Sequence, residues 1–389
     1  MLETATLRCQ KQRFSLPEKT HYLNCAYMAP LSKKVEEAGI KGVKRKVNPT
    51  LLTPENFFTE TNEARALFGR LVNAPAERIA IIPAASYGIA TVVKNIKLEP
   101  GQNIILTAEQ FPSNVYAWQS YEEQGVTVKM IAAPDNYARG KSWNEAILDA
   151  IDEDTGVVAL GHVHWTDGTL FDLEAIGQKA RDVGAALIVD ATQSVGALPF
   201  DVAKIQPDAL LVAGYKTLMG PYGLGCAYYG PRFDNGAPLE ESWITRKGSE
   251  NFSGLVDYQR EYADGAVRFD MGERSNFTLM PMLVAALEDV LERQPERIQA
   301  YCGYLTEPLV KELKPLGYRC DGEPYRAKHL FGLRLPSQLS LDTLTNMLAD
   351  RNVFVSVRGS SLRVSTNVYN DKADIEALLE VLKEAATQL

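Results

Sequence analysis

Residues 187–225 read LIVDATQSVGALPFDVAKIQPDALLVAGYKTLMGPYGLG, and their pattern decides the fold. The apolar run 187–189 closes on Asp190. A second, Ala209–Ala213, runs into Gly214-Tyr215-Lys216, with glycines at 220, 223 and 225. Short apolar runs without alternation, bounded by turn residues, are strands buried on both faces, as in a parallel sheet. Open sheets of this kind bind ligands at the carboxyl ends of their strands, which is where Asp190 and Lys216 fall. Taken singly, a strand-end aspartate is by default a cap or turn residue, and a lysine is solvated surface. Together, beside glycines that let backbone close around a ligand, they read as a site. A paired carboxylate and amine suit pyridoxal phosphate (PLP): lysine for the Schiff base, aspartate to keep the pyridine nitrogen protonated.

The pattern extends in both directions. Strand-like runs at Ile79–Ile82, Asn103–Thr107, 126–131 and 157–160 precede helical spacing that starts at Tyr87, Ser113, Trp143 and Asp172. That alternation predicts an α/β, doubly wound, mainly parallel sheet with right-handed crossovers. Helical spacing also covers 32–47 and 56–72, and 21–23 starts a short extended segment. The pattern loosens over 231–275, and helix resumes near Pro281. Thereafter helices mix with a few antiparallel strands, such as 329–335 and 353–357. We therefore expect a large domain over 21–270 and a small α+β domain over 271–389, with residues 1–20 packing on the latter.

At 46% hydrophobic and 23% charged, the 389 residues describe an ordinary globular chain. A net charge of -8 offers no basic excess for nucleic acid. Five cysteines, an odd number without a CxxC pair, predict neither a zinc site nor a disulfide framework, and a reduced, cytoplasmic setting. The start of the chain lacks a signal-peptide core, and no apolar run reaches membrane-spanning length, so no membrane partner is expected.

Three motifs are decoys. Gly140-Lys141-Ser142 resembles the end of a P-loop, but Asp135 stands where the pattern needs glycine. His162 and His164, two apart on one expected strand face, read as hydrogen-bonded histidines rather than metal ligands. Gly220-x-x-Gly223-x-Gly225 follows a lysine instead of opening a first strand–helix turn, so it is not a dinucleotide fingerprint.

DATQSVG (190–196), AGYKTLMGPYGLG (213–225), EQFPSNVYAW (109–118), GHVHWTDGTLFDL (161–173) and SLRVSTNVYN (361–370) together resemble class-V aminotransferase-fold PLP enzymes, of fold type I. FPSN at 111–114 is most similar to the kynureninase and isopenicillin-N-epimerase branch. The resemblance makes Lys216 the Schiff-base lysine and Asp190 the partner of the pyridine nitrogen. It puts Gln193 near the cofactor's phenolic oxygen and Phe111 on its ring. Ala85, Ser86 and Tyr87 fall in the phosphate loop at a helix start. Tyr215 stands in for a usual histidine, and Ala213 for a usual serine. Asp167 and, less directly, Trp165 fall in a loop that often touches the cofactor. Ser275 or Arg274 replaces the threonine that reaches a partner's phosphate. Arg363 matches the arginine that clamps the substrate carboxylate, and Asn24 and Tyr27 line the substrate side. An amino-acid substrate and a homodimer with a shared active site follow from the same resemblance.

Between Asn352 and Arg363 the sequence NVFVSVRGSSLR has no cysteine, which argues against desulfurase chemistry by persulfide transfer. We expect an aminotransferase acting on a small amino acid, since one lysine suffices for both proton transfers. A lyase of C–S or kynureninase type, or an epimerase, is the alternative. A non-catalytic binding protein would need neither Lys216 nor Asp190.

Overall fold

A computed structural model describes residues 7–136 and 138–387. The chain enters through β1 (His21–Tyr22), α1 (Lys33–Arg45) and α2 (Thr59–Val72). Strand–helix alternation follows: β2 (Ile79–Ile82), α3 (Ala85–Asn95), β3 (Asn103–Thr107), α4 (Ser113–Gln119), β4 (Thr127–Ile131) and α5 (Arg139–Ala150). It continues through β5 (Thr155–Gly161), α6 (Leu173–Asp182), β6 (Ala186–Asp190), α7 (Val202–Ile205), β7 (Ala209–Ala213) and β8 (Gly225–Tyr229). After an irregular stretch come α8 (Leu279–Arg293), α9 (Pro295–Leu313), β9 (Leu330–Arg334) and α10 (Leu341–Asp350). The chain closes with β10 (Val353–Phe354), β11 (Ser356–Arg358), β12 (Ser361–Ser365) and α11 (Lys372–Thr387).

The strands β2 to β8 form one sheet in the order β2-β8-β7-β6-β5-β3-β4. All pairings among β3 to β7 are parallel, while β8 runs antiparallel to both β7 and β2. The period of two splits each apolar run between two cores. Ile81, Val158, Leu187, Val189 and Val212 face α2, α5, α6 and α8. Ile82, Leu106, Ala159, Ile188 and Leu211 face α3 and α4. With both faces covered, the fold is the doubly wound α/β arrangement expected of uninterrupted apolar runs.

A third core joins α9, α10, α11 and the antiparallel sheet β11-β12-β9 to Leu7, Phe14 and Leu23 from the N-terminal segment. β1 pairs with β10 in a two-stranded ribbon. Met280, Leu283, Leu287 and Val290 of α8 belong to the sheet's core. The cores part at Gln294, whose φ of 63° turns α8 into α9. Leu7 and Phe14 pack in this third core, and residues 1–6 lie outside the described set. Among the described residues no helix is long and apolar enough to cross a membrane.

Candidate active site

The carboxyl ends of β2, β3, β5, β6 and β7, with the start of β8, line one cavity of about 230 Å³. Ala85, Ser86, Phe111, Asp190, Gln193, Tyr215 and Lys216 all contribute to its wall, as do Trp165 and Ala213. Sequence positions far apart meet because parallel strands deliver their carboxyl ends to one edge.

Lys216 follows β7 through Gly214. A Cβ at that glycine would lie 2.6 Å from the Leu224 carbonyl oxygen, so the close approach requires glycine. The Lys216 side chain is buried at 7% exposure. Burial pushes its amine down to about 8, Arg363 and Arg358 push the same way, and Asp190 opposes them. Its Nζ lies 5.2 Å from the centre of the Phe111 ring and 5.6 Å from that of Tyr215. Asp190 ends β6, where its Oδ1 accepts the Thr192 backbone N–H at 3.0 Å. That bond fixes the carboxylate toward the sheet edge. Gln193 donates Nε2 to the Ala26 carbonyl at 3.1 Å, which leaves Oε1 buried without a partner.

Also in the cavity wall, α3 starts at Ala85, and its N-cap, Ala84, makes no side-chain hydrogen bond to the first N–H groups. Open donors and the helix dipole make that end an anion site, with the Ser86 hydroxyl beside it. Tyr215 packs against Tyr222 with ring centres 4.7 Å apart. Burial, and then the neighbouring Tyr222, push its hydroxyl upward, so it is a proton donor at neutral pH. Phe111 meets Trp165 edge-on at 5.5 Å.

Arg363 lies on β12, beside this cavity rather than in its wall, and is 1% exposed. Its Nη1 donates to the Trp165 carbonyl at 2.8 Å, while Nε and Nη2 are buried without a partner. Burial, reinforced by Arg358, pushes the guanidinium down to about 9. Buried donors left open are costly unless a ligand occupies them. Asn24 sits along the same strand, accepting from Ser356 Oγ at 2.8 Å, and Tyr27 is 55% exposed near Tyr215.

Tyr87 and Asp167 are not in the cavity wall. The Tyr87 hydroxyl is buried without a hydrogen-bond partner, and burial, then the neighbouring Glu240, pushes it up. Asp167 is committed to a structural network: Arg139 Nε at 2.8 Å, the Thr169 N–H at 3.0 Å and His164 at 3.4 Å. Burial pushes that carboxyl up, but His164 and Arg139 together hold it well below the usual range. The loop bends toward β9 after Trp165, carrying Asp167 to the Gly332 N–H. Ser275 donates to the Phe57 carbonyl, and Arg274 pairs with Asp270; their expected place is at a partner's phosphate rather than in this chain's cavity.

The histidines depart from expectation too. β5 ends at Gly161, so His162 and His164 lie in the following loop and not on a strand face. His164 bonds the Thr166 hydroxyl at 2.9 Å, whereas His162 packs on Phe200 with its Nδ1 unpartnered. Gln110 and Thr192, which the sequence reading did not single out as site residues, line the cavity while holding backbone groups of neighbouring strands.

A buried amine and a carboxylate at adjacent strand ends share one cavity with an uncapped helix start, and an open guanidinium lies beside it. The model of the aminotransferase class-V family matches residues 48–378, and the chain belongs to that family. Its cofactor is therefore PLP. An uncharacterised aminotransferase of Schizosaccharomyces pombe is 26% identical over 84% of this chain and 82% of its own. A probable cysteine desulfurase of Methanothermobacter thermautotrophicus is 26% identical over 83% of each chain. In fold, the apo cysteine desulfurase of Thermococcus onnurineus NA1 matches with a TM-score of 0.85 at 21% identity, over 99% of this chain and 100% of the other. These relatives place the chain in the family and not in one branch of it.

Proposed function

We propose that the protein is a PLP-dependent aminotransferase that works at the α-carbon of an amino acid. The observation that carries this reading is the buried Lys216 amine, pushed down to about 8, one strand away from Asp190. The cofactor fits the residues present: an uncapped helix start for its phosphate, Phe111 for its ring, Asp190 for its nitrogen. PLP, when bound, supplies an electron sink for charge left at the α-carbon.

Each side chain then has a task. Lys216 attaches the cofactor and holds or returns the proton at the α-carbon. Asp190 keeps a proton on the ring nitrogen. The N–H groups at the start of α3, with Ser86 and the Tyr215 hydroxyl, hold the phosphate, since Ala213 offers no donor. The open Nε and Nη2 of Arg363 grip the substrate carboxylate and orient the α-carbon toward Lys216. Trp165 and Phe111 exclude water from that space. A homodimer and a cytoplasmic setting belong to the same reading.

The second reading is cleavage of a C–S bond, favoured by the relative named a probable cysteine desulfurase. Against its persulfide form stands the β11–β12 hairpin: it closes tightly at 359–360 and carries no cysteine beside Arg363. The test supplies the holoprotein with amino acids and a 2-oxo acid acceptor. Transfer of the amino group to the acceptor without free ammonia supports the aminotransferase. Sulfide or ammonia released without an acceptor overturns it in favour of the lyase.

A further inference from the structure

The antiparallel register of β11 and β12 puts Ser356 opposite Arg363 and Arg358 opposite Ser361. Residues directly opposite share a face, so Arg358 and Arg363 are diagonal neighbours on one side of the hairpin, with Cβ atoms about 7–8 Å apart. Both lie against one residue, Trp165, one at its backbone and one at its ring. Arg363 Nη1 donates to the Trp165 carbonyl at 2.8 Å, and the Arg358 guanidinium sits 5.6 Å from the Trp165 ring centre. The Trp165 ring lines the cavity that holds Lys216.

Neither arginine has a carboxylate partner among the described residues. Arg358 donates Nη1 to its own neighbour's carbonyl, Val357, at 2.7 Å, and Arg363 leaves two donors open. Like charges so placed repel: beyond the effect of burial, Arg358 pushes both Arg363 and Lys216 downward. The α-carboxylate of a simple amino acid neutralises one guanidinium. The other stays half-buried without a carboxylate partner, held only by the Val357 carbonyl and the Trp165 ring. Two forks with no internal acid are complementary to two carboxylates on one small molecule.

We infer that the substrate is an acidic amino acid, with Arg363 holding its α-carboxylate and Arg358 its side-chain carboxylate. This rests on the proposed function and adds to it a specificity-determining residue. Alanine-like and other uncharged amino acids are then poor substrates because they leave Arg358 unpaired.

The test separates anion recognition from catalysis. Succinate and butyrate have four carbons each and no amine, and differ in their second carboxylate. Calorimetric titration of the cofactor-free protein is expected to give succinate the tighter binding by about tenfold or more. R358Q is expected to reduce succinate to the butyrate level, and R358K to restore part of the difference. Holoprotein titrated with aspartate, glutamate and alanine is expected to respond at lower concentrations of the two acids, and R358Q to erase that preference. Equal binding of succinate and butyrate, or an R358Q protein that keeps the preference, overturns the inference. Failure of the protein to take up PLP overturns the proposed function while the dicarboxylate preference still stands or falls on the first titration.

Discussion

At the scale of single residues, the site is governed by charges that burial makes expensive. Arg363 has no acid beside it, so its two open donors have value only when a carboxylate arrives. Arg363→Ala is expected to weaken amino-acid binding by about 2 kcal/mol or more, roughly thirtyfold, while the holoprotein keeps its visible absorbance. Titration of that absorbance with amino acid measures both quantities, and a colourless variant would contradict the assignment. Lys216 makes a pH prediction whose sign follows from its depressed value of about 8. Attachment of PLP needs the neutral amine, so the uptake rate of cofactor-free protein rises about tenfold per pH unit up to that value and then levels. An ordinary lysine would keep rising to about 10.4. Stopped-flow absorbance across pH 6 to 10 distinguishes the two profiles.

At the scale of elements, the loop after β5 links the parallel sheet to the small sheet and presents Trp165 to Arg363. Gly168 in that loop has φ +76°, and a Cβ there would lie 2.0 Å from the Leu330 carbonyl oxygen. Gly168→Ala is expected to cost about 2 kcal/mol or more of stability and to weaken amino-acid binding more than PLP binding. Thermal melts beside spectral titrations check it; equal losses of both ligands would refute the role given to the loop. Ser86 at the start of α3 makes the converse case. Ser86→Ala is expected to lose about 1 kcal/mol of PLP affinity, roughly fivefold, with no change in amino-acid preference.

The elements also explain what the sequence made readable. Runs such as Asn103–Thr107 and Ala209–Ala213 were placed to the residue because every side chain in them is buried and turn residues bound them. β8 was overlooked, since its first residue, Gly225, ended a glycine series that looked like a ligand loop. The run 353–357 splits at Val355 into β10 and β11, so the hairpin went unread and Arg358 with it. A Gly359-Ser360 turn between alternating residues was the available signal. Residues at strand ends, Asp190 and Lys216 among them, were legible because strand geometry alone sends them to the site. Tyr87 and Asp167 were not, because a loop or first helical turn sets side-chain direction by contacts with Glu240 or Arg139 that no local pattern encodes.

At the scale of the whole molecule, the cavity belongs to the seven-stranded sheet, while the two arginines proposed for the substrate lie on the three-stranded sheet. Contacts between them are specific: His329 Nε2 and the Gln193 carbonyl lie 2.7 Å apart, and Gln299 donates to the Ala197 carbonyl at 2.7 Å. The N-terminal segment completes the join, with the Ala29 N–H donating to the Tyr215 carbonyl at 3.0 Å. A shift of the three-stranded sheet therefore moves Arg363 and Arg358 relative to Lys216. As part of the proposed reading, sedimentation equilibrium is expected to give twice the chain mass. A monomer that turns over substrate would contradict a shared active site.

The central claim is that Lys216 carries PLP. Holoprotein reduced with borohydride, digested and analysed by mass spectrometry should bear the pyridoxyl group on Lys216, with visible absorbance lost on reduction and absent in Lys216→Ala. Label on another lysine, or a wild-type protein that never takes up PLP, would contradict the account.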